Sequence, residues 1–372
     1  MKERRRAIDA QSQAHPLLRA WRVTLRILPS SSGWRLLSVL ALALVLLGTA
    51  LWSRPGRSYI ASTASPESTE LPATARPTQQ AQPSPQESSS PTAAPVPTDT
   101  LRPLAGPVMP KIVDAGPRPS RKPGAPDPNP STDHVIVVDG ASGDILFQRN
   151  AYEPVAPASL TKIMTAILGI EHGNLADYVN VDVDARSFAD STVMGLEPGF
   201  HVTLEDILYG LMLPSGNDAA VQIAHYVAGN ESAFVRLMNE KARWLGLRAT
   251  HFVNPHGLDV SDHYSCPYDM VVMARYGMQY PVFQKLAAAR SYDIRESNIS
   301  YTVYNLNPLL GTYPGADGVK IGYTDSSGRS IVASATRNGH RVYVAFMRSA
   351  DGLAQEAGLL LDWAFGSFTW SQ

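Results

Sequence analysis

The segment HVIVVDGASGDILFQ, residues 134–148, contains the first pattern in the chain that is typical of a globular domain. Its β-branched run, His134–Asp139, predicts a buried strand, and Ile145–Gln148 predicts a second strand. Ala141–Asp144 lies between them and has the composition of a turn, so the two strands are predicted to form a hairpin. Globular patterning therefore begins here, and residues 131–372 are predicted to form one domain.

The rest of this domain contains a helical block followed by a block of strands. Helical periodicity predicts helices at residues 160–170, 203–213, 218–228, 231–245 and 268–278. Strands follow at residues 299–304, 319–323, 330–336 and 341–347, and a last helix at about residues 352–365. Because short turns such as Arg337–His340 join consecutive strands, the sheet is predicted to be mainly antiparallel. The predicted class is α/β of the α+β type, with a helical cluster between strands.

The N-terminal 52 residues have the pattern of a membrane anchor. Residues 1–35 are rich in arginine, which predicts a basic cytoplasmic tail. Residues 36–52 carry no charge and end at Trp52, which predicts a transmembrane signal-anchor with the following domain outside the cytoplasm. A cleaved signal peptide is the alternative, because Gly48–Ala50 has the small-x-small form of a cleavage site.

Residues 53–130 have the composition of a linker, with 18 of the 29 prolines of the chain and many Ser, Thr and Gln residues. Such a segment cannot bury enough apolar surface to offset the entropy lost on ordering. It is therefore predicted to be a disordered, polyproline-like spacer between the membrane and the domain.

The composition argues against several classes of function. A net charge of −1 provides no overall basic field for binding nucleic acid. Cys266 is the only cysteine, so neither an intramolecular disulfide nor a thiolate metal site is expected. The group His251, His256 and His263 lies in a Pro/Gly/Asp-rich stretch without helical spacing, so we expect loop hydrogen bonding and no metal ligation.

The motif Pro157-Ala-Ser-Leu-Thr-Lys162 begins a predicted helix. Ser159 and Lys162 are three residues apart, so they project from the same helical face. A hydroxyl becomes a good nucleophile when a base removes its proton, and a lysine serves as that base when burial or a second cation lowers its pKa. By itself the motif is weak, since about one Ser-x-x-Lys arises by chance in a chain of this length.

Two further motifs follow. Ser215-Gly-Asn217 lies between two predicted helices, where Ser215 can relay protons and Asn217 can orient the substrate or the lysine. Taken alone, this sequence also fits a turn and a helix cap. Lys320-Ile-Gly322 lies on a predicted strand, where Lys320 can supply positive charge and Gly322 can allow close approach of a substrate backbone.

In this order, the three motifs resemble those of the penicillin-recognising serine enzymes. The flanking residues resemble the low-molecular-mass D-alanyl-D-alanine carboxypeptidases, in the segments Ala158–Thr165, Met212–Ala219, Phe252–Asp259 and Asp317–Lys320. The resemblance covers residues 131–365 and implies a β-lactamase/transpeptidase-like domain that needs no cofactor. It also implies a peptidoglycan stem peptide as substrate and β-lactams as acylating inhibitors.

The resemblance implies a role for each motif residue. Ser159 attacks the carbonyl of the penultimate D-alanine, and Lys162 accepts the Ser159 proton. Ser215 passes a proton to the leaving amine, and Asn217 positions the substrate. The substrate-binding residues are Lys320, Gly322 and Thr324, which lie on or at the end of the third-motif strand.

The chain departs from the family pattern at two positions. Relatives usually carry Thr or Ser between the Lys and Gly of the third motif, where this chain has Ile321. They also commonly carry an Arg ten residues before the aromatic residue of the last helix, where this chain has Leu353. We therefore expect weaker binding of the substrate carboxylate. The residues that can compensate are Thr324, Arg329 and Arg348.

The sequence leaves other functions open. A β-lactamase-like hydrolase on the same architecture needs a Glu-bearing loop, and no convincing candidate lies between Ser215 and Lys320. A D-alanyl endopeptidase and a catalytically weak wall-binding protein are the further alternatives.

Overall fold

The computed structural model describes residues 108, 110–112, 116, 118–188, 190–296, 299–350 and 352–371. The predicted cytoplasmic tail, the predicted signal-anchor and most of the predicted spacer lie outside the described residues. Within the described ranges, no helix combines the length and the apolar character needed to cross a membrane.

Eleven strands, seven α-helices and two 3₁₀ helices, Ala158–Thr161 and Ala185–Phe188, make up the described secondary structure. The strands are β1 (Ser120–Arg121), β2 (His134–Asp139), β3 (Ile145–Arg149), β4 (Tyr178–Asn180), β5 (His201–Thr203), β6 (Ser291–Glu296), β7 (Ile299–Tyr304), β8 (Ala316–Thr324), β9 (Gly328–Arg337), β10 (His340–Ser349) and β11 (Phe368–Thr369). The helices are α1 (Lys162–His172), α2 (Leu204–Met212), α3 (Asn217–Ala228), α4 (Glu231–Leu245), α5 (Pro267–Gly277), α6 (Pro281–Ala288) and α7 (Leu353–Ser367).

A five-stranded antiparallel sheet forms the centre of the domain, in the order β3-β2-β10-β9-β8. Its middle strands are buried on both faces, and alternate residues point to two separate cores. On β2, Ile136 and Val138 belong to the larger core, which is formed with the helical cluster. Val135 and Val137 belong to the smaller core beneath α7. The result is an α+β arrangement in which β8 forms one edge of the sheet.

The predicted elements of the domain are present, with shifts of a few residues at their ends. The hairpin of β2 and β3 and the antiparallel sheet are confirmed. The sequence reasoning missed the strands β1, β4, β5, β6 and β11 and the helix α6. β6 is mostly polar and buries only Ile294 fully, so it lacks a clear alternation of apolar residues, although it pairs with β7 along its whole length.

The folded region starts earlier than the predicted domain boundary at residue 131. β1 pairs with β11 at the C-terminal end of the chain. Arg118 pairs with Asp144 at 2.5 Å, and Lys122 Nζ donates to the carbonyl oxygen of Gly366 at 2.7 Å. Isolated polar contacts of this kind leave no periodic pattern, so the sequence assigned residues 118–130 to the spacer.

Candidate active site

Ser159 lies in a 3₁₀ turn, Ala158–Thr161, that leads directly into α1. Its neighbours Ala158 and Leu160 are fully buried, whereas Ser159 lines a cleft. The turn backbone is unusual, since Ala158 has a φ of 47°. Apolar side chains on either side of the serine thus anchor the turn in the core and leave the hydroxyl facing the cleft.

Lys162 is fully buried and makes three polar contacts through Nζ. The distances are 2.8 Å to Ser159 Oγ, 2.6 Å to Asn217 Oδ1 and 2.6 Å to the carbonyl oxygen of His256. The amide and carbonyl oxygens have no proton to give, so each accepts an N–H of the amine. A neutral amine has two such N–H groups, which leaves its lone pair directed at the Ser159 hydroxyl.

The charge state of Lys162 fits this arrangement. Burial lowers its pKa well below the usual lysine value, and the nearby Lys320 cation lowers it further. Asp218 acts in the opposite direction with a smaller effect. The neutral amine is therefore favoured, as a general base for Ser159 requires.

Asn217, the first residue of α3, is held in one orientation. Its Nδ2 donates to Ser191 Oγ at 2.7 Å, and Ser191 Oγ donates to the carbonyl oxygen of Phe188 at 3.0 Å. These two hydrogen bonds hold the amide so that the Asn217 carbonyl oxygen points towards Lys162. Ser191 was not identified from the sequence, because a lone serine 26 residues away from Asn217 has no distinguishing pattern.

Ser215 lies in the same cleft with a left-handed backbone, φ 66°. Non-glycine residues rarely adopt this conformation, and it is concentrated at functional sites. The Ser215 hydroxyl is buried, and it has no hydrogen-bond partner among the described residues. It is therefore available to exchange a proton with a bound substrate.

The loop formed by residues 251–263 supports the nucleophile turn from behind. The carbonyl oxygen of Pro255 accepts a hydrogen bond from Thr165 Oγ1 at 2.6 Å, and His263 Nε2 lies 2.8 Å from Thr161 Oγ1. A Cβ on Gly257 would come within 1.9 Å of the Ala158 carbonyl oxygen, so this glycine is required for the close packing.

The histidines of this loop form hydrogen bonds, as the sequence predicted. His251 Nδ1 contacts the carbonyl oxygen of Asp262 at 2.7 Å, and His263 Nδ1 accepts from the backbone N–H of Val253 at 3.1 Å. Burial lowers the pKa of His256 to about 3 and that of His263 to about 4, so both are neutral near pH 7. The contribution of the His256 backbone carbonyl to the site was not visible in the sequence, because a carbonyl carries no residue signature.

Strand β8 brings the third motif to the nucleophile turn. Lys320 is buried and donates to the Ile321 carbonyl oxygen at 3.2 Å, and burial lowers its pKa to about 7. A Cβ on Gly322 would lie 3.0 Å from Ser159 N. The glycine therefore lets β8 approach the turn itself, a reason additional to the predicted approach of a substrate backbone.

The cleft in front of Ser159 has a volume of about 860 Å³. Ser215, Asn217, Gly322 and Thr324 line it together with Ser159. The other residues that line it include three carboxylates, one guanidinium and two apolar side chains, namely Asp190, Asp259, Asp325, Arg329, Ile321 and Leu353. The nucleophile thus faces a cleft with a mixed wall, and its base Lys162 is buried in contact with it.

Thr324 reaches the cleft, but its hydroxyl is already engaged. Its Oγ1 donates to Asp259 Oδ1 at 2.8 Å and accepts the backbone N–H of Ser327 at 3.1 Å. The bond with Ser327 stabilises the turn between β8 and β9, and the bond with Asp259 joins this turn to the loop of residues 251–263. Among the described residues, no group of three or more His, Cys, Asp or Glu side chains is placed to hold a metal ion.

Comparison with known proteins relates this arrangement to one family. A family profile described as D-alanyl-D-alanine carboxypeptidase matches residues 122–350. The carboxypeptidase DacF of Bacillus subtilis is 35% identical over 242 residues, which cover 63% of this chain and 62% of the relative. DacB2 of Mycobacterium tuberculosis is 35% identical over 250 residues, covering 64% of this chain and 84% of the relative. This chain therefore spans less than two thirds of the Bacillus protein.

Solved structures show the same fold. The crystal structure of a D-alanyl-D-alanine carboxypeptidase from Mycobacterium tuberculosis is 33% identical with a TM-score of 0.62, covering 70% of this chain and 100% of that chain. Penicillin binding protein 6B from Escherichia coli is 32% identical with a TM-score of 0.61, covering 67% of this chain and 83% of that chain. The described domain thus has the penicillin-binding/transpeptidase-like α+β fold.

Proposed function

Because the chain belongs to the D-alanyl-D-alanine carboxypeptidase family, we propose that its domain is a serine-type D-alanyl-D-alanine carboxypeptidase. It hydrolyses the bond between the last two D-alanine residues of a peptidoglycan stem peptide and releases the terminal D-alanine. The observation that carries this proposal is the contact of 2.8 Å between Lys162 Nζ and Ser159 Oγ, with the other two lysine contacts made to acceptors.

Acylation begins when the lone pair of Lys162 takes the Ser159 proton. The oxygen attacks the carbonyl carbon of the penultimate D-alanine, and the backbone N–H of Ser159 is a donor for the resulting oxyanion. The C–N bond then breaks as the leaving amine receives a proton through Ser215. An ester between Ser159 and the peptide remains, and terminal D-alanine leaves.

Deacylation completes the hydrolysis. Water attacks the ester carbonyl, the peptide leaves as a free acid, and Ser159 regains its proton. β-Lactams acylate the same hydroxyl. Lys162 is the group placed to accept the proton of the attacking water, because it is the base already in contact with Ser159.

Intact-mass spectrometry of the full chain with benzylpenicillin tests the nucleophile. A stable adduct on Ser159 in the native chain and none in Ser159→Ala is the expected result. A native chain that gains no adduct would refute the mechanism, and rapid loss of the adduct as hydrolysed penicillin would favour a β-lactamase. Release of D-alanine from a pentapeptide then tests the reaction.

Endopeptidase action on D-alanyl cross-links is a second candidate. It is favoured by Ile321 and Leu353, which give the cleft an apolar wall that suits a bulkier leaving group. Purified cross-linked muropeptides and pentapeptides, given separately to the same enzyme, distinguish the two activities by product mass.

The proposed location is the outer face of the cell membrane, with residues 36–52 as a single-pass anchor and the Pro-rich segment as a spacer. The arginine-rich start of the chain and the uncharged run support this location. Immunoblots of membrane and medium fractions test it: full-length protein in the membrane is expected, and a shortened protein in the medium would instead identify a cleaved signal peptide.

A further inference from the structure

The structure places both departures from the family pattern in the cleft. Ile321 and Leu353 line the same cavity as Ser159, and both belong to the apolar surroundings of α7. Neither side chain can donate a hydrogen bond to a carboxylate. A peptide that ends in D-alanine nevertheless brings a free α-carboxylate into this space, and desolvating that charge without a partner is unfavourable.

Arg329 is the one cationic residue among the described residues that line the cleft. It is paired across the β8–β9 turn with Tyr323, just as Ile331 is paired with Ile321. Because paired and alternate residues share a face, Arg329 lies on the same face of the hairpin as Ile321. The guanidinium is therefore presented on the side where the two expected donors are missing.

Within the described residues, the Arg329 guanidinium forms no hydrogen bond or ion pair. Its contact within the described part of the chain is to the ring of Tyr323, at 5.8 Å from the centroid. The neighbouring acids have other donors, since Asp325 accepts from the Tyr323 hydroxyl at 3.0 Å and Asp259 accepts from Thr324. The planar guanidinium retains N–H groups suited to a bidentate contact with a carboxylate.

The other two candidates for this role are less suitable. The Thr324 hydroxyl already donates a hydrogen bond to Asp259. Arg348 is exposed and lies outside the cleft lining.

The charges of the cleft make the position of Arg329 decisive. The charged lining residues are Asp190, Asp259, Asp325 and Arg329, so three negative groups and one positive group give a net formal charge of −2. Of the residues that line the cleft, the three carboxylates repel an anionic substrate end, and Arg329 attracts it.

We propose that Arg329 binds the free α-carboxylate of the peptide substrate and replaces the donors lost at positions 321 and 353. This inference rests on the proposed carboxypeptidase function and specifies how the same site selects peptides with a free C-terminus. Arg329 is then the residue that distinguishes a terminal D-alanine from a C-terminally blocked peptide.

The test compares two substrates that differ only at the C-terminus: diacetyl-L-lysyl-D-alanyl-D-alanine and its C-terminal amide. In Arg329→Gln, kcat/KM for the free acid is expected to fall about 10- to 100-fold, the range for loss of a hydrogen bond to a charged group. Turnover of the amide stays within about twofold of the native enzyme, because its uncharged end gains little from a cation. Arg329→Lys keeps the positive charge but lacks the planar guanidinium with its paired N–H donors. Its kcat/KM for the free acid is expected to lie between those of the native enzyme and Arg329→Gln.

Arg348→Gln is the matched control, since it removes an exposed arginine outside the cleft, and it should leave both substrates unaffected. Equal loss on the acid and the amide in Arg329→Gln, or no loss on either, would overturn the inference and leave the carboxypeptidase function in place. A native enzyme that cleaves neither peptide would overturn both.

Discussion

Gly322 on β8 lies directly against the backbone nitrogen of Ser159, so that a Cβ at position 322 would be 3.0 Å from that nitrogen. The same Cβ would be 3.2 Å from the nitrogen of Leu160. The two residues are 163 positions apart in the chain, and their contact joins the edge of the sheet to the start of α1. The absence of a side chain at 322 therefore keeps the Ser159 N–H accessible from the cleft.

Replacing Gly322 with Ala should impair catalysis more than folding. The added methyl group displaces the nucleophile turn or covers the Ser159 N–H, and loss of one oxyanion donor lowers kcat by about 100- to 1,000-fold. Steady-state kinetics and thermal unfolding measure the two effects. Gly366→Ala is the control, because no atom lies within 4 Å of its added Cβ. Native kcat in Gly322→Ala would contradict the role of this contact.

Replacing Asn217 with Asp should protonate the catalytic base. The new carboxylate takes the position 2.6 Å from Lys162 Nζ, and an opposite charge there raises the pKa of Lys162. The rate of penicillin acylation near pH 7 is expected to fall about 100-fold or more. In the plot of this rate against pH, the rise that reports deprotonation of Lys162 should move to higher pH. Ser191→Ala removes the hydrogen-bond partner of Asn217 without adding charge. It should lower the acylation rate by less and leave the pH at which the rate rises unchanged.

Replacing Lys320 with Gln should lower the acylation rate mainly at acidic pH. The Lys320 cation lowers the pKa of Lys162, so its removal raises that pKa, although burial keeps it below the usual lysine value. Since the pKa of Lys320 is about 7, its cation is present mainly below that pH. The variant should therefore acylate more slowly than the native enzyme below about pH 7, and the gap between them should narrow at higher pH. Rates that keep a constant ratio across pH would argue against this coupling.

Replacing Glu171 with Ala should destabilise the domain. This fully buried carboxylate on α1 accepts hydrogen bonds from Lys241 Nζ at 2.9 Å, the Tyr276 hydroxyl at 2.5 Å and the Tyr280 hydroxyl at 2.6 Å. Its loss removes the carboxylate that pairs with Lys241 and accepts from both tyrosine hydroxyls, which lowers the free energy of unfolding by about 3–5 kcal/mol. Denaturant titration measures the change. Glu240→Ala alters the exposed neighbour of Lys241 and should stay within about 0.5 kcal/mol.

The sequence predicted the parts of the protein that depend on local periodicity. The β2–β3 hairpin follows from β-branched residues on either side of a turn, and the pairing of Ser159 with Lys162 follows from three-residue spacing at a helix start. The hydrophobic period and the geometry of a helix depend on residues a few positions apart, so both can be recognised in the sequence before the fold is known.

Only the tertiary structure decided how distant residues complete the site. Lys162 meets Asn217 and the His256 carbonyl across 55 and 94 residues, and the sequence offers no register for such contacts. The same holds for the choice of Arg329 over Thr324 and Arg348, since only the fold shows which side chains line the cleft and which are already bonded. Chain order identifies the chemical groups, whereas packing determines their distances, and distance controls proton transfer and charge recognition.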